Sequence, residues 1–278
     1  MQRPSIPATL ACVDCQFPRL AVRAMRESMA QARFAAARFF TDEAGARAAA
    51  GLEAEVVVIP TIASSLDYSR FMLKGLLAHV ATGHVQIVQW DGYVARGEAW
   101  SADWLAYDYI GAPWWFREPP HNVGNGGFSL RSRRLLEALQ DERIAVADPE
   151  DDAICLRDRP WLEREHGIRF APAEVAGRYA FEGEWPTGAE FGFHRVFNLP
   201  YFLDEGALAE VLEPIPDAAR LQSPFVTLVT KLAALGRKEE AWRYGSRMAE
   251  VDRERAGLAQ PDRLRLYRAL GLLQLEKR

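Results

Sequence analysis

Four short apolar runs punctuate the first ninety or so residues: "ATLACV" (8–13), "RFAAARFFT" (33–41), "AEVVVIP" (54–60) and "HVQIVQW" (84–90). Between them lie segments with helical character: Arg19 to about Gln31, an Ala-rich stretch over 43–50, and the amphipathic "DYSRFMLKGLLAHV" over 67–80. The order β-α-β-α-β-α-β leaves few solutions, because parallel strands of one sheet need crossovers and those crossovers are right-handed. The expected class is α/β: a Rossmann-like mixed sheet, mainly parallel and flanked by helices. A continuous apolar run such as "AEVVVIP" suits a parallel strand buried on both faces. Ligands of such sheets bind beyond the carboxyl ends of the strands, where Asp14, Asp42 and Asp91 stand.

From about 97 the pattern changes to the tryptophan-rich "WSADWLAYDYIGAPWW". A glycine cluster follows, then a helix expected from Ser132 to about Gln140, and short strand-like pieces such as "IRFAPAEVA". After "NLPYFLDEG" the chain is almost entirely helix-forming, and "PFVTLVTKLAALGRKEEAWRYGSRMAEVD" reads as a helical hairpin broken at Gly236. The expected division is therefore 1–210, one α/β catalytic domain, and 211–278, an all-helical appendage weakly like a tetratricopeptide hairpin. Those helices suit a homodimer contact or a protein partner.

Composition narrows the function classes. A net charge of −4 offers no basic stripe for a phosphate backbone, so nucleic acid is not an expected partner. No run approaches the roughly 20 apolar residues of a membrane span, and the opening lacks a signal-peptide pattern, so the expected location is the cytoplasm. Three cysteines are too few for a disulfide framework, and "CVDC" has no second pair to complete a zinc site. Cys12 is expected to pack as a small hydrophobe and Cys15 to sit in a turn.

Four phrases carry candidate chemistry. "VQWDGYV" puts Asp91 at a strand end with glycine after it, as a hard divalent cation on phosphate requires; a turn-forming aspartate has the same pattern. "NVGNGGFSLRS" places Gly124, Asn125, Gly126 and Gly127 in a loop that fails both the P-loop and the dinucleotide tests. Its bare backbone suits either close approach to a ligand or a tight turn. "DPEDDAIC" aligns Glu150, Asp151 and Asp152, a charged helix start or a general base with an anchored neighbour. "EFGFHRVF" sets His194 among aromatics, either as a core histidine or as a metal ligand. Arg70 and Lys74, one helical turn apart, are placed to reach phosphate or solvent. Trp114 and Trp115 suit an aromatic core or a sugar-stacking surface.

In this order the set resembles the nucleotide-sugar glycosyltransferases of the GT-A fold, over roughly residues 8–200, and a bacterial branch sharing "QWDGYV" and "GNGGFSLRS". The resemblance implies a hexosyltransferase using a nucleoside-diphosphate sugar, with UDP as the nucleotide, and a glycan, protein or small-molecule acceptor. It implies Asp91 and His194 as ligands of Mn²⁺ or Mg²⁺, Asp151 as the base of an inverting displacement with Glu150 and Asp152 beside it, and Gly124 to Gly127 as a wall of the donor and acceptor pocket. Asp42 is expected either to accept from the nucleobase, with Asp14 beside it, or, like Asp14, to be an ordinary turn or helix-cap aspartate. The sequence departs at Gln89, where the superfamily's Asp-x-Asp motif has its first acid. Two other classes stay open: a two-metal phosphoesterase or nuclease built from Asp91, Asp151, Asp152 and His194, and a non-catalytic scaffold that binds nucleotide sugars.

Overall fold

The computed structural model describes residues 3–119, 121–183 and 185–275. The chain divides into two compact units, Met1–His194 and Arg195–Arg278, so that residues 195–210 belong to the second.

The first unit is built on a six-stranded sheet ordered β3-β2-β1-β4-β6-β5. Its strands are β1 (Ser5–Val13), β2 (Arg33–Thr41), β3 (Glu55–Val58), β4 (His84–Val88), β5 (Tyr109–Gly111) and β6 (Ser129–Ser132). β1 runs parallel to both β2 and β4, and β2 runs parallel to β3, as the alternating pattern requires. β6 is antiparallel to β4 and to β5, which makes the sheet mixed. The expected α/β class, a mainly parallel sheet flanked by helices with further helices at the C-terminus, is what forms.

β1 is central and buried along nearly its whole length, with Leu10, Ala11 and Cys12 inaccessible to solvent. The first crossover is α1 (Pro18–Gln31), which starts on Pro18, whose missing N–H has no partner to lose there, and buries Leu20, Ala21, Ala24 and Met25. Two local expectations are corrected. "AEVVVIP" is not buried on both faces: β3 has a neighbour on one side only, and Val58 is 55% exposed. The segment over 67–80 is not one regular helix. After α2 (Glu43–Ala46) and β3 it begins as α3 (Ser65–Arg70), capped by Ser64, then widens into a π turn over Phe71–Gly75, where Gly75 lies against the Phe71 ring. "FSLRS" is strand β6 before the helix α4 (Arg133–Ala138) that Ser132 caps.

The acidic phrase opens α5 (Glu150–Asp152), which continues as a π turn over Ala153–Arg157 and is followed by α6 (Arg159–His166). In "IRFAPAEVA" only Phe170 bridges to the sheet, at Tyr109, and the rest enters α7 (Ala173–Tyr179) after Pro172. A small parallel pair, β7 (Ala180–Phe181) and β8 (Gly192–Phe193), brings the chain to His194. The aromatics around it form one packed group, with Trp104, Phe128 and Tyr179 all within 6 Å of a neighbouring ring centroid.

The second unit contains α8 (Glu205–Leu212), α9 (Ser223–Ala234), α10 (Lys238–Arg255) and α11 (Gln260–Leu275). α9 ends at Gly236, whose left-handed φ of +77° turns the chain into α10, as the hairpin reading of the sequence requires. No described helix is long and apolar enough to cross a membrane.

Candidate functional site

β1 leads to β2 on one side and pairs with β4 on the other, so the strand order reverses between β1 and β4. The carboxyl ends of those two strands are therefore the switch point at which open α/β sheets bind ligands. A cleft of about 590 Å³ lies there, lined by Asp14, Phe17, Ser64, Ser65, Tyr68 and Gln89.

Beyond β4 the chain turns tightly: Gln89 and Gly92 exchange both backbone hydrogen bonds, which sets Asp91 at the tip. His194, 105 residues after Gln89, comes back to this turn. Its Nε2 lies 3.1 Å from Gln89 Oε1 and 3.6 Å from Asp91 Oδ1. On the other side of the ring, Nδ1 lies 2.8 Å from Asn125 Nδ2 and 3.4 Å from Glu182 Oε1. Because Asn125 Oδ1 already accepts from the Phe128 N–H, its Nδ2 donates to Nδ1, and the ring proton sits on Nε2, where it bonds Gln89 Oε1. Gln89 is itself oriented by donating to the Tyr68 hydroxyl at 2.9 Å.

The glycine loop runs between this cluster and the acids. A Cβ on Gly127 would stand 2.2 Å from His194 Nε2, and one on Gly126 would stand 2.2 Å from Glu150 Oε1. One on Gly124 would enter the Trp114 indole, 2.0 Å from Cζ2. Asn125 has a left-handed φ of 62° and is buried, with Oδ1 accepting from the Phe128 N–H. Each position of the loop is thus bare or polar because another side chain packs directly upon it.

The three acids are sorted by their surroundings. Glu150 is buried and accepts from Arg131 Nη2 at 2.8 Å; Arg131 is fully buried, donates also to Gly126 O and Ser129 Oγ, and lies over the Tyr109 ring. Burial pushes Glu150 up, opposed by the Arg131 charge. Glu150, implied as a catalytic partner, is instead committed to this ion pair. Asp151 Oδ2 accepts from the Gly126 N–H at 2.9 Å, and Oδ1 from the Asp152 N–H at 2.9 Å. Asp152 lies 3.8 Å from Arg117, and burial followed by the Asp151 charge raises it above an ordinary aspartate. Just upstream, Asp148 accepts from Ser65 and Ser69 of α3, which ties the acidic segment to the edge of the cleft.

Asp14 faces the cleft with Oδ1 accepting from the Gln16 and Phe17 N–H groups. Burial raises it to about 6, those two bonds oppose the rise, and the nearby Asp91 charge adds to it. Three further candidates are engaged locally, Asp42 and Arg70 in the cap and solvent-facing roles that the sequence also allowed. Asp42 caps α2, accepting from the Gly45 N–H and the Thr61 hydroxyl. Lys74 donates to the carbonyls of Leu139 and Asp141 just beyond α4, and Arg70 pairs with Asp67 in solvent. Trp114 is buried, whereas Trp115 is 65% exposed. Tyr68 and Glu182 were not singled out from the sequence. Tyr68 had a usable signal, because it lies in the first turns of a helix that follows a strand; Glu182 in "AFEGEW" had none.

Residues 52–195 match the family model described as "Protein of unknown function (DUF5672)", a span that holds Gln89, Asp91, the glycine loop, the acids and His194. The chain belongs to the DUF5672 family. No match is found among curated proteins. This DUF5672 chain is similar to three solved glycosyltransferase structures. One is a glycosyltransferase involved in glycosylation of the major capsid of PBCV-1, at 11% identity and a TM-score of 0.43, over 75% of this chain and 98% of that one. Another is the mannosyltransferase PcManGT from Pyrobaculum calidifontis, in complex with GDP-Man and Mn²⁺, at 13% identity and a TM-score of 0.42, over 98% and 88%. The third is apo GlyE of Streptococcus pneumoniae TIGR4, at 10% identity and a TM-score of 0.43, over 83% and 64%.

Two stability tests follow for this DUF5672 domain. Arg131→Met leaves the Glu150 carboxylate buried without its cation and is expected to cost about 3–5 kcal/mol, read as a lowered denaturant midpoint. Arg131→Met/Glu150→Leu should recover most of that loss, and a single variant with a wild-type midpoint would remove the ion pair from the account. For Asp14 the folded pKa lies above the unfolded one, near 4, so its contribution is fully present below about pH 4 and lost as pH rises through about 6. Asp14→Asn is expected to raise the unfolding free energy at pH 7 by on the order of 2–3 kcal/mol and to flatten the pH dependence between those values.

Proposed function

We propose that this chain is a glycosyltransferase that moves a sugar from a nucleoside-diphosphate sugar, of the uridine class, to an acceptor hydroxyl. The observation that carries the reading is the meeting of Gln89, Asp91 and His194 beside the switch-point cleft, with Gly127 bare against them. A nucleoside fits between the ends of β1 and β4, with Asp14 and Tyr68 as its polar contacts and Phe17 as an apolar wall.

The donor atoms suit a hard divalent cation. Among the described residues no group of three or more His, Cys, Asp or Glu converges, so no all-protein cage forms. A carboxylate with the remaining positions left to phosphate oxygens is the arrangement Mg²⁺ takes at nucleotide sites, and an imidazole nitrogen added to those oxygens suits Mn²⁺ better than Mg²⁺. Asp91 and His194 would hold the ion, and when bound it offsets the charge that develops on the departing diphosphate. For Nε2 to ligate, the ring proton would move to Nδ1, beside Glu182 Oε1, and the Asn125 amide that now donates to Nδ1 would turn away.

Asp151 is the base of an inverting displacement in this reading. Its two backbone donors hold the carboxylate in one orientation, and the ion pair of the preceding Glu150 fixes the segment that carries it. The acceptor oxygen bonds the anomeric carbon as the bond from that carbon to the diphosphate breaks. The hydroxyl proton passes to Asp151, and the nucleoside diphosphate leaves with the electron pair. A two-metal hydrolase would need Asp91, Asp151, Asp152 and His194 in one cluster, which the described residues do not form.

Thermal unfolding with UDP-, GDP-, CMP- and dTDP-sugars, with and without Mn²⁺, tests the donor. A stabilisation by UDP-sugar that depends on Mn²⁺ is expected, and no shift with any nucleotide would overturn the donor assignment. Asp151→Asn should keep that shift while slowing transfer by about 10²- to 10⁴-fold. Transfer at the wild-type rate would remove Asp151 from the base role.

A further inference from the structure

A second cleft, of about 440 Å³, is formed by the loop over 113–122 and the segment over 177–190. Its walls include Trp115, Trp185, Asn122, Arg117, Glu182 and Glu190. Of the five large hydrophobic side chains exposed among the described residues of the first unit, the three aromatic ones gather here: Trp115 at 65%, Trp185 at 57%, and Phe116 packed edge-on against Trp115. An exposed indole forgoes the stabilisation that burial would give, so an ordered group of them marks a contact surface.

The group is held in place from beneath. A Cβ on Gly183 would stand 1.8 Å from Trp115 Cδ1, so the indole lies on bare backbone. Arg117 is stacked over both Trp114 and Phe116. Glu190 is used to fix the rim, accepting from the N–H groups of Thr187 and Gly188 and from the Thr187 hydroxyl. Asn122 Oδ1 is buried and has no hydrogen-bond partner among the described residues, an acceptor that a ligand hydroxyl would satisfy.

We infer that this cleft binds a pyranoside, the apolar face of its ring against Trp115 and Trp185 and its hydroxyls on the amide and carboxylate acceptors. Indole faces beside acceptor oxygens suit a neutral polyol, which supplies C–H groups to the ring and O–H donors to the rim. Arg117 and Arg178 balance Glu182 and Glu190 in the lining, so the cleft carries no net charge to draw an anionic ligand. The cleft also borders the candidate catalytic residues: Glu182 Oε1 lies 3.4 Å from His194 Nδ1, and Arg117 lies 3.8 Å from Asp152. Resting on the proposed transfer, the bound pyranoside is the acceptor, so the acceptor class is a glycan or glycoside.

The test uses the full chain without nucleotide. Methyl glucoside, galactoside, mannoside and N-acetylglucosaminide, with their β-1,4 disaccharides, are titrated while tryptophan fluorescence and saturation-transfer NMR are recorded. At least one is expected to bind saturably, and Trp115→Ala and Trp185→Ala each to weaken it at least tenfold with unchanged melting temperature, while Asp91→Asn leaves it intact. Failure of every saccharide to bind, or binding that survives both tryptophan variants, overturns the inference. Loss of the nucleotide-sugar shift with saccharide binding retained would instead sink the transferase reading and leave this site standing as a lectin-like one.

Discussion

The absence of three Cβ atoms, at Gly124, Gly126 and Gly127, is the constraint on which the site depends. Side chains from three separate segments occupy the space those atoms would take: Trp114 from before the loop, Glu150 from α5, and His194 from beyond β8. An alanine at Gly127 would meet His194 Nε2 and Gln89 Oε1 together, so the turn after β4 and the returning histidine could not both keep their places. The loop is thus a packing surface for the functional groups before it is a surface for any ligand. Its polar member follows the same logic. Asn125 accepts the left-handed conformation more readily than most residues and uses both ends of its amide, one on the Phe128 N–H and one on His194.

Much of this order was legible in the sequence, and the reasons differ by element. The parallel half of the sheet follows from period and spacing, since runs such as "ATLACV" and "HVQIVQW" have one stable use between amphipathic crossovers. The edge position of β3 was not legible, because an apolar run looks the same whether one or two neighbours cover it. β6 was hidden for a different reason: four residues of "SLRS" carry too little period, and Arg131 reads as a surface residue until Glu150 is placed beside it. That pair also explains why the acidic phrase was misread in part. Three adjacent carboxylates cannot be ranked without their partners, and only the fold gives Glu150 an arginine, Asp151 two backbone donors and Asp152 the exposed position. Lys74 failed as a phosphate contact because the carbonyls just past α4, remote in sequence, already occupy its ammonium.

Glu182 joins two features that the sequence kept apart. It lies at the end of β7, where the parallel pairing with β8 brings it alongside His194, and it also forms part of the wall of the aromatic cleft. A group bound in the aromatic cleft would therefore meet a carboxylate that also stands 3.4 Å from the imidazole.

The charge distribution gives a reason for glutamine at position 89. Asp14 is already raised to about 6 by burial with a further contribution from Asp91, so this end of the sheet tolerates additional negative charge poorly. An acid at position 89 would add a third carboxylate beside those two and would have no amide N–H to give the Tyr68 hydroxyl. Glutamine keeps an oxygen directed at His194 and a donor directed at Tyr68 while contributing no charge. On the proposed reading, a cation held by Asp91 and His194 would meet one protein carboxylate, and most of its compensation would come from the diphosphate. Such an ion would be held loosely by the protein alone and tightly only with nucleotide present, so that metal and donor affinity would rise together by the reciprocity of linked binding. The acid before Asp91 would then be dispensable, because hydrogen bonds are retained at position 89 and the missing charge would be supplied by the substrate.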